Sequence, residues 1–263
     1  MDIVQQLIGR RKMIIGISGK IGTGKDTVGA IIQYLVWKKE IETGRNAGLL
    51  YNLQDFINGR GSITNWEIKK YAGKLKQIVA LLTGCKVEDL ESQEFKAKYL
   101  SEEWVKGSER TCGGIPTYRW LLQKIGTEAL RDMIHENVWV NALFADYKPK
   151  YFPSSFPPAA TQEEYITQQG YPNWIITDMR FPNEAEAIRE RTGLLLRVER
   201  TPFTVHHSKT GEAHDLSREA FTEHPSETGL DNYHGFDYTI LNNGTIDDLV
   251  KNVETILRAE GII

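Results

Sequence analysis

The chain has 263 residues, of which 40% are hydrophobic and 25% charged, and its formal net charge is −3. This is the balance of an ordinary soluble globular protein, and the charge does not indicate a bulk nucleic-acid binder. No apolar run approaches the roughly 20 residues of a membrane-spanning helix, and the N-terminal residues lack the order of a signal peptide. The two cysteines, Cys85 and Cys112, have no metal-binding spacing, so we expect reduced thiols in a cytoplasmic protein.

Strands and helices alternate along the chain. Residues 12–18 form an Ile-rich run that predicts a buried strand, and residues 25–40 carry apolar side chains at helical spacing. Further strands are predicted at 66–72, 173–177, 194–198 and 236–241, and further helices at 73–83, 87–100, 117–131, 137–147 and 182–191, with a last helix after Thr245. This order predicts one α/β domain around a mostly parallel sheet flanked by helices.

Three stretches interrupt this pattern. Residues 41–65 contain four glycines and predict an irregular segment, with a hairpin or an excursion around residues 49–51. Residues 149–172 hold five of the nine prolines and predict a surface loop or insertion, and the polar residues 201–235 predict a flexible excursion. Five histidines lie in that excursion: His206, His207, His214, His224 and His234. We favour a polar loop over a metal site there, because neither an HExxH motif nor paired ligand spacing is present.

The glycine-rich stretch GISGKIGTGKDT, residues 16–27, lies between a predicted strand and a predicted helix, as a phosphate-binding P-loop does. Glycines let several backbone N–H groups face one anion, the helix dipole adds to the attraction, and Lys25 supplies a mobile positive charge. The alternative, a glycine-rich turn beside a surface lysine, is disfavoured because motif and context agree. The residues expected around the donor phosphates are Gly19, Lys20, Gly22, Thr23, Gly24, Lys25, Asp26 and Thr27.

This P-loop has an unusual ending. A strict P-loop has Ser or Thr directly after the lysine, whereas here Asp26 follows Lys25 and the hydroxyl comes one position later, at Thr27. The pattern GKxT is typical of nucleoside monophosphate kinases and not of GTPases or motors. Asp26 either helps to hold Mg²⁺, directly or through water, or places a favourable charge in the first turn of the helix, and both interpretations stay open.

A second acid, Asp178, ends the strand predicted at 173–177, where a P-loop fold places the carboxylate that organises Mg²⁺. The alternative is an aspartate that caps a turn. The next residues are Met179 and Arg180, without a second acid, which favours transfer to a substrate over hydrolysis. Arginine binds phosphate through two donors, and a group of arginines in predicted loops or helix starts favours a phosphorylated acceptor. The group is Arg110, Arg119, Arg131, Arg180, Arg197, Arg200 and Arg218.

Four blocks of the sequence resemble the phage-type deoxynucleoside monophosphate kinases, a branch of the P-loop kinases. The blocks are GISGKIGTGKDTVG, YAGKLKQIVALLTG (71–84), YRWLLQKIGTEALRDMIHENVWVNAL (118–143) and WIITDMRFPNEAEAIRERTGLLLRVER (174–200). They follow the family order, and a weaker tail, HPSETGLD (224–231), also fits. Gly73, the insertion at 149–172 and residues 41–65 depart from the family pattern.

The resemblance implies a three-layer P-loop kinase fold and ATP-dependent, Mg²⁺-assisted phosphorylation of a deoxynucleoside 5′-monophosphate to the diphosphate. It implies a single domain over residues 1–263, with the insertion at 149–172 and a lid-like excursion at 201–235 that brings Arg200 or Arg218 to the transition state. The implied residues are Lys25, Asp26, Asp178 and Arg180 for catalysis, Asp26, Thr27 and Asp178 for Mg²⁺, and Lys74, Arg119, Gln123, Thr127 and Arg131 for the acceptor.

The implied partners are small-molecule nucleotides, with neither nucleic acid nor membrane, in the host cytoplasm if a phage encodes the protein. A homodimer is compatible with the sequence. Two alternatives stay open. One is another P-loop small-molecule kinase with a phosphorylated acceptor, of the phosphomevalonate kinase kind, and the other is a nucleotide-binding module without transfer activity.

Overall fold

A computed structural model describes residues 14–44, 50–61, 64–106, 115–151, 169–201 and 225–263. The described residues form two compact units, one within Met1–Lys69 and Tyr147–Ile263 and the other within Lys70–Asp146. The predicted single domain over 1–263 stays a prediction. Most of the predicted insertion and most of the predicted excursion lie outside the described residues.

The helices and strands follow one another along the chain in nearly the predicted order. In chain order they are β1 (Ile14–Ser18), α1 (Lys25–Glu42), α2 (Leu53–Ile57), β2 (Trp66–Lys69), α3 (Ala72–Thr83), α4 (Gln93–Ala97), α5 (Glu102–Val105), α6 (Tyr118–Gln123), α7 (Val138–Phe144), β3 (Lys150–Tyr151), β4 (Gln169–Gly170), β5 (Asn173–Ile176), α8 (Pro182–Arg189), β6 (Leu194–Glu199), α9 (Pro225–Thr228), β7 (Tyr238–Leu241) and α10 (Ile246–Ala259). The two-residue strands β3 and β4 pair with each other and lie at the ends of the predicted insertion.

The first unit is built on a five-stranded sheet in the order β2-β5-β1-β6-β7, and every pair in it is parallel. Ile15 of β1 lies beside Ile175 of β5 and Leu194 of β6, and all three side chains are completely buried. Both faces of these central strands are apolar because helices cover both of them. Side chains of α1 and α10 pack in one core cluster with Ile15, and Ile188 of α8 lies against Gly16. The predicted three-layer α/β fold is confirmed.

One predicted helix is wrong as a continuous element. Residues 87–100 form a short 3₁₀ turn at Asp89–Glu91 and then α4, which ends before Tyr99 pairs with Thr117. The break lies at Ser92, whose backbone is extended and whose hydroxyl accepts the Phe95 N–H at 3.2 Å. Ser92 is thus the N-cap of a new helix, which the helical spacing of the charged side chains did not reveal.

The second unit contains the predicted helix 117–131, which has two parts. Its first part, α6, is capped by the Thr117 hydroxyl, and it continues into a π-helical stretch over Lys124–Asp132. Gly126 in this stretch lies against Leu75 of α3, so closely that a Cβ there would meet the leucine Cδ2 at 2.6 Å. The Gly126 carbonyl accepts a hydrogen bond from the Trp139 indole at 2.7 Å, which joins the stretch to α7. Within the described ranges, no helix has the length and apolar character needed to cross a membrane.

Candidate functional site

The loop between β1 and α1 has the backbone of an anion-binding cradle. Gly22 and Gly24 have φ angles of 80° and 94°, in the left-handed region that side chains with a Cβ rarely adopt. The loop is closed by Thr23, whose N–H and hydroxyl both donate to the Lys20 carbonyl, at 3.3 and 2.9 Å. The N-cap residue of α1 is Gly24, which has no side chain to cap the first turn, so the N–H groups of that turn and the positive end of the helix dipole face the cradle.

Asn242, which follows β7, packs against the cradle and is hydrogen-bonded to it. Its Nδ2 donates to the Thr23 carbonyl at 2.8 Å, and a Cβ on Gly24 would approach the same nitrogen to 2.6 Å. Gly24 is therefore required both for its backbone angle and for the space that Asn242 occupies. Asn242 lies between the strand predicted at 236–241 and the last predicted helix, and nothing in the sequence pattern placed it beside a residue 219 positions away.

Charged groups from three elements surround Lys25, the first residue of α1. Burial, the largest influence, lowers the pKa of the Lys25 ammonium, and the Arg180 guanidinium lowers that pKa further. Three carboxylates raise it: Asp26, Glu227 and Asp178. The predicted catalytic residues Asp26, Asp178 and Arg180 thus lie within electrostatic range of the fourth, Lys25, as does an acid that the sequence did not single out, Glu227.

Asp26 is oriented by a neighbour on the sheet. The Thr177 hydroxyl donates to Asp26 Oδ1 at 2.8 Å, and Thr177 is completely buried at the end of β5 while Asp26 is exposed. This hydrogen bond therefore orients the Asp26 carboxylate toward the end of β5. Thr177 had been interpreted only as the last residue of a strand.

The loop after β5 carries Asp178 and Arg180, and a buried carboxylate fixes its backbone. Glu184 is 2% exposed, and its Oε2 accepts the N–H groups of Arg180 at 2.7 Å and Phe181 at 3.2 Å. Proline at the first helical position and glutamate two residues later are a typical helix start, so this arrangement had a signal in the sequence. The Arg180 side chain pairs with Glu227 of α9.

A cavity of about 440 Å³ adjoins the cradle within the first unit. Its lining comprises Gly22, Gly24, Lys25, Asp26, Thr27, Arg200, Asn242, Ile246 and Leu249. The cradle side is polar and cationic, whereas Ile246 and Leu249 supply apolar surface, and Ile246 is 44% exposed. Such a cavity suits a ligand with an anionic end and a flat apolar end. Of the predicted arginines, Arg200 lines this cavity, while Arg110 and Arg218 lie outside the described residues.

The five predicted acceptor residues lie in the second unit. Lys74 of α3 forms an ion pair with Asp146 at 3.0 Å, and Arg119 of α6 donates to the Gln93 side chain at 2.9 Å. Arg131 is 8% exposed and donates to a backbone carbonyl, that of Glu136, at 3.2 Å. Gln123 and Thr127 are partly exposed on the same helical stretch as the two arginines.

Four of these residues recur at every fourth position: Arg119, Gln123, Thr127 and Arg131. In an α-helix, four residues turn by about 40° more than a full circle, so such a series drifts around the helix. A π-helix is wider, with bonds between residues five apart, and its drift has the opposite sign. The His135 N–H bond to the Leu130 carbonyl, at 3.1 Å, has that five-residue spacing. The change from α to π after Gln123 therefore keeps the four residues near one stripe.

The comparison with known proteins gives two relatives and no matching family model. A protein of Acanthamoeba polyphaga mimivirus, provisionally named deoxynucleotide monophosphate kinase, is 25% identical over 168 residues, which are 59% of this chain and 71% of the relative. The deoxynucleoside-5′-monophosphate kinase of Escherichia phage T5 is 28% identical over 145 residues, which are 52% of this chain and 45% of the relative. With the parallel sheet and the cradle, these relatives confirm that the chain is similar to the phage-type deoxynucleoside monophosphate kinases.

Proposed function

We propose that this protein transfers the γ-phosphate of ATP to a deoxynucleoside 5′-monophosphate and releases ADP and the deoxynucleoside diphosphate. The observation that carries the proposal is the convergence of Asp26, Asp178 and Arg180 on Lys25, at the open N-terminus of α1. The names of the two relatives support the substrate class. Small-molecule nucleotides are the proposed partners, and the cytoplasm, where they occur, is the proposed location.

The cradle and its cavity are the proposed ATP site. The triphosphate lies on the N–H groups of the loop and the first turn of α1, where the helix dipole favours negative charge. The sugar and base extend into the cavity, past Arg200 and Asn242, to the apolar surface of Ile246 and Leu249. A volume of about 440 Å³ is within the usual range for a site that encloses much of such a ligand.

The residues near the cradle fit Mg²⁺. This ion prefers oxygen ligands, is held by one or two carboxylates and keeps several waters and substrate phosphate oxygens. Asp26, Thr27 and Asp178 supply two carboxylates and a hydroxyl, whereas no group of three His, Cys, Asp or Glu side chains forms a complete cage among the described residues. When bound, Mg²⁺ would neutralise charge on the donor phosphates. The Thr177 hydroxyl then has the role of fixing the orientation of Asp26.

Transfer at this site depends on positioning and charge. Lys25 and Arg180 place positive charge where negative charge spreads over the transferring group. The acceptor is a phosphate whose oxygen is already anionic, so the reaction requires no strong general base. We propose that the acceptor binds in the second unit, along the stripe of Arg119, Gln123, Thr127 and Arg131. Lys74 lies on α3, whose next residue, Leu75, packs against Gly126 of this stretch.

An acceptor screen tests the proposal. Purified protein is incubated with ATP, Mg²⁺ and one acceptor at a time, either one of the four deoxynucleoside monophosphates or the non-nucleotide phosphomevalonate, and ADP formation is compared with an ATP-only blank. We expect ADP above the blank with at least one acceptor and none with the Lys25→Ala variant, whose circular dichroism should match the wild type. ADP formation only with a non-nucleotide phosphate would support the phosphomevalonate-type alternative, and ATP binding without turnover would support the non-catalytic one.

A further inference from the structure

A short part of the first unit, residues 225–236, approaches the cradle and is here termed the return segment. It brings two carboxylates to cations of the site: Glu227 pairs with Arg180, and Asp231 pairs with Lys20 at 2.5 Å. Neither acid lines the cavity, and the proposed transfer has so far assigned no role to either of them. Their position beside two cations of a phosphate site requires an explanation.

The return segment is held in place by contacts that do not involve Glu227. Arg197 of β6 donates to the Leu230 carbonyl at 3.2 Å, and its guanidinium lies over the Phe236 ring, 5.5 Å from the centroid. Leu230 is buried, and the Tyr233 hydroxyl donates to Glu186 of α8 at 2.9 Å. The segment is therefore a fixed platform, and the carboxylate that it presents to Arg180 has a defined position.

The two ion pairs differ in burial. The Glu227 side chain is 10% exposed and that of Arg180 is 35% exposed, whereas Lys20 and Asp231 are 44% and 36% exposed. Water screens an exposed pair and leaves both side chains mobile, so the Lys20 pair constrains its lysine little. Removal of one partner from a buried pair has a larger effect, because the other charge loses its orientation and compensation. Loss of Glu227 should therefore change the position of Arg180 more than loss of Asp231 would change the position of Lys20.

We propose that Glu227 is a positioning residue that holds the Arg180 guanidinium beside Lys25, an inference that rests on the proposed phosphoryl transfer. Arg180 is then fixed at both ends, its backbone N–H by Glu184 and its side chain by Glu227. An arginine side chain that is already held in its productive position contributes more to an in-line transfer than one that must be ordered during the reaction. Glu227 acts through Arg180 and has no contact with the transferring group.

Charge alone predicts the opposite result, which makes the proposal testable. Glu227→Gln keeps the size of the side chain and removes a negative charge close to a phosphate-binding site. If Glu227 merely repelled or competed with phosphate, this variant would bind ATP more tightly and turn over faster. Positioning predicts that kcat falls about tenfold while KM for the deoxynucleoside monophosphate changes by less than about threefold.

The experiment is a double-mutant cycle with Glu227→Gln, Arg180→Ala and the double variant. We expect the double variant to have the kcat of Arg180→Ala, because the proposed positioning role of Glu227 ends with the loss of that guanidinium. Glu254→Gln is the matched control, since it removes an acid that pairs with an arginine of its own helix, Arg258 on α10, and should leave kcat within about twofold of the wild type. Thermal melts of all variants detect loss of folding.

Each outcome has a defined meaning. Unchanged or raised kcat in Glu227→Gln, or a further fall when it is added to Arg180→Ala, overturns the inference. If Glu227→Gln does not fold, Glu227→Asp, which keeps the charge but shortens its reach, should show an intermediate kcat, and a wild-type kcat in that variant overturns the inference. No transfer by the wild type with any acceptor overturns the proposed function instead. In that case, calorimetric titration with ATP still tests the role of Glu227. Weaker ATP binding by Glu227→Gln supports positioning, and equal or tighter binding overturns it.

Discussion

The hydroxyl of Thr177 donates to Oδ1 of Asp26 at 2.8 Å and thereby joins the end of β5 to the first turn of α1. The methyl group of the same side chain lies against Gly29 of α1, so closely that a Cβ there would meet Thr177 Cγ2 at 2.6 Å. One buried side chain thus orients a site carboxylate with its oxygen and packs the helix with its carbon. The two contributions can be separated by substitution.

Thr177→Val keeps the methyl packing and removes the donor, so we expect a similar melting temperature and a fall in kcat of about tenfold, or about 1.4 kcal/mol of transition-state stabilisation. Thr177→Ser keeps the donor and removes the methyl, so it should retain kcat and lose about 1 kcal/mol of stability. Steady-state kinetics and urea unfolding measure both quantities. The reverse pattern would contradict the assigned role of the hydroxyl.

Lys25 should reduce the stability of the fold. Its pKa is lowered, chiefly by burial, so the folded state disfavours the charged ammonium relative to the unfolded chain. The unfolded state then binds more protons between the lowered pKa and the ordinary value, and stability rises with pH across that interval. We expect Lys25→Met to abolish transfer and raise Tm at neutral pH by roughly 2–4 °C. Calorimetry at several pH values measures this, and a lowered Tm would contradict it.

The lowered pKa of Lys25 also predicts the alkaline limb of the activity. The proposed transfer requires the Lys25 ammonium, so kcat/KM should fall as the pH rises through the lowered pKa, below the pH at which an exposed lysine titrates. Lys25→Arg keeps its charge throughout this range and should lack that limb, at reduced overall activity. Profiles of kcat/KM from pH 6 to about 10.5 compare the two proteins. An identical alkaline fall in both would assign it to another group.

Asn242 is expected to matter for the donor and not for the acceptor. Asn242→Ala removes the bond to the Thr23 carbonyl and loosens the cradle, so KM for ATP should rise about fivefold while KM for the acceptor stays constant. Asn243→Ala is the matched control, because Asn243 belongs to the same turn but bonds to Thr201 at 2.8 Å. Equal effects of the two variants on ATP would show that the turn, and not its contact with the cradle, is responsible.

Substitution of Trp139 tests whether the π-helical stretch of the second unit contributes to acceptor binding. Trp139→Phe leaves the Gly126 carbonyl without its indole donor in a buried position, which should lower the free energy of unfolding by about 1–2 kcal/mol. If the π-helical stretch carries the acceptor residues, KM for the deoxynucleoside monophosphate should rise while KM for ATP does not. Trp104→Phe, in the more exposed α5 of the same unit, is the control. Denaturant unfolding and two-substrate kinetics separate stability from binding.

The sequence alone predicted the cradle and the parallel sheet because each has a local signal. Glycines at 22 and 24 with Lys25 mark the loop, and runs of apolar residues mark strands buried on both faces. The partners of the cradle had no such signal. Thr177 and Asn242 reach it from positions 151 and 219 residues from their hydrogen-bond partners, and only the strand order of the sheet brings them there.

The sequence also did not predict where helices are interrupted or change type. The same spacing of side chains suits a continuous helix at 87–100 and the observed 3₁₀ turn followed by α4, and the difference lies at Ser92, where the backbone is extended and the hydroxyl caps α4. Periodicity also cannot separate α-helix from π-helix over a few turns. The π-helical stretch makes tertiary contacts, those of Gly126 with Leu75 and Trp139, and these partners lie outside the segment itself.

That π-helical stretch has a consequence for how the chain is aligned with its relatives. A π turn contains more residues than an α turn of the same span, so the stretch at Lys124–Asp132 has the register of an α-helix into which a residue was inserted. A relative with plain α-helix at this place would need one residue fewer between Arg119 and Arg131 to keep both side chains on one stripe. A one-residue gap in an alignment would then indicate a change of helix type and not the loss of that stripe.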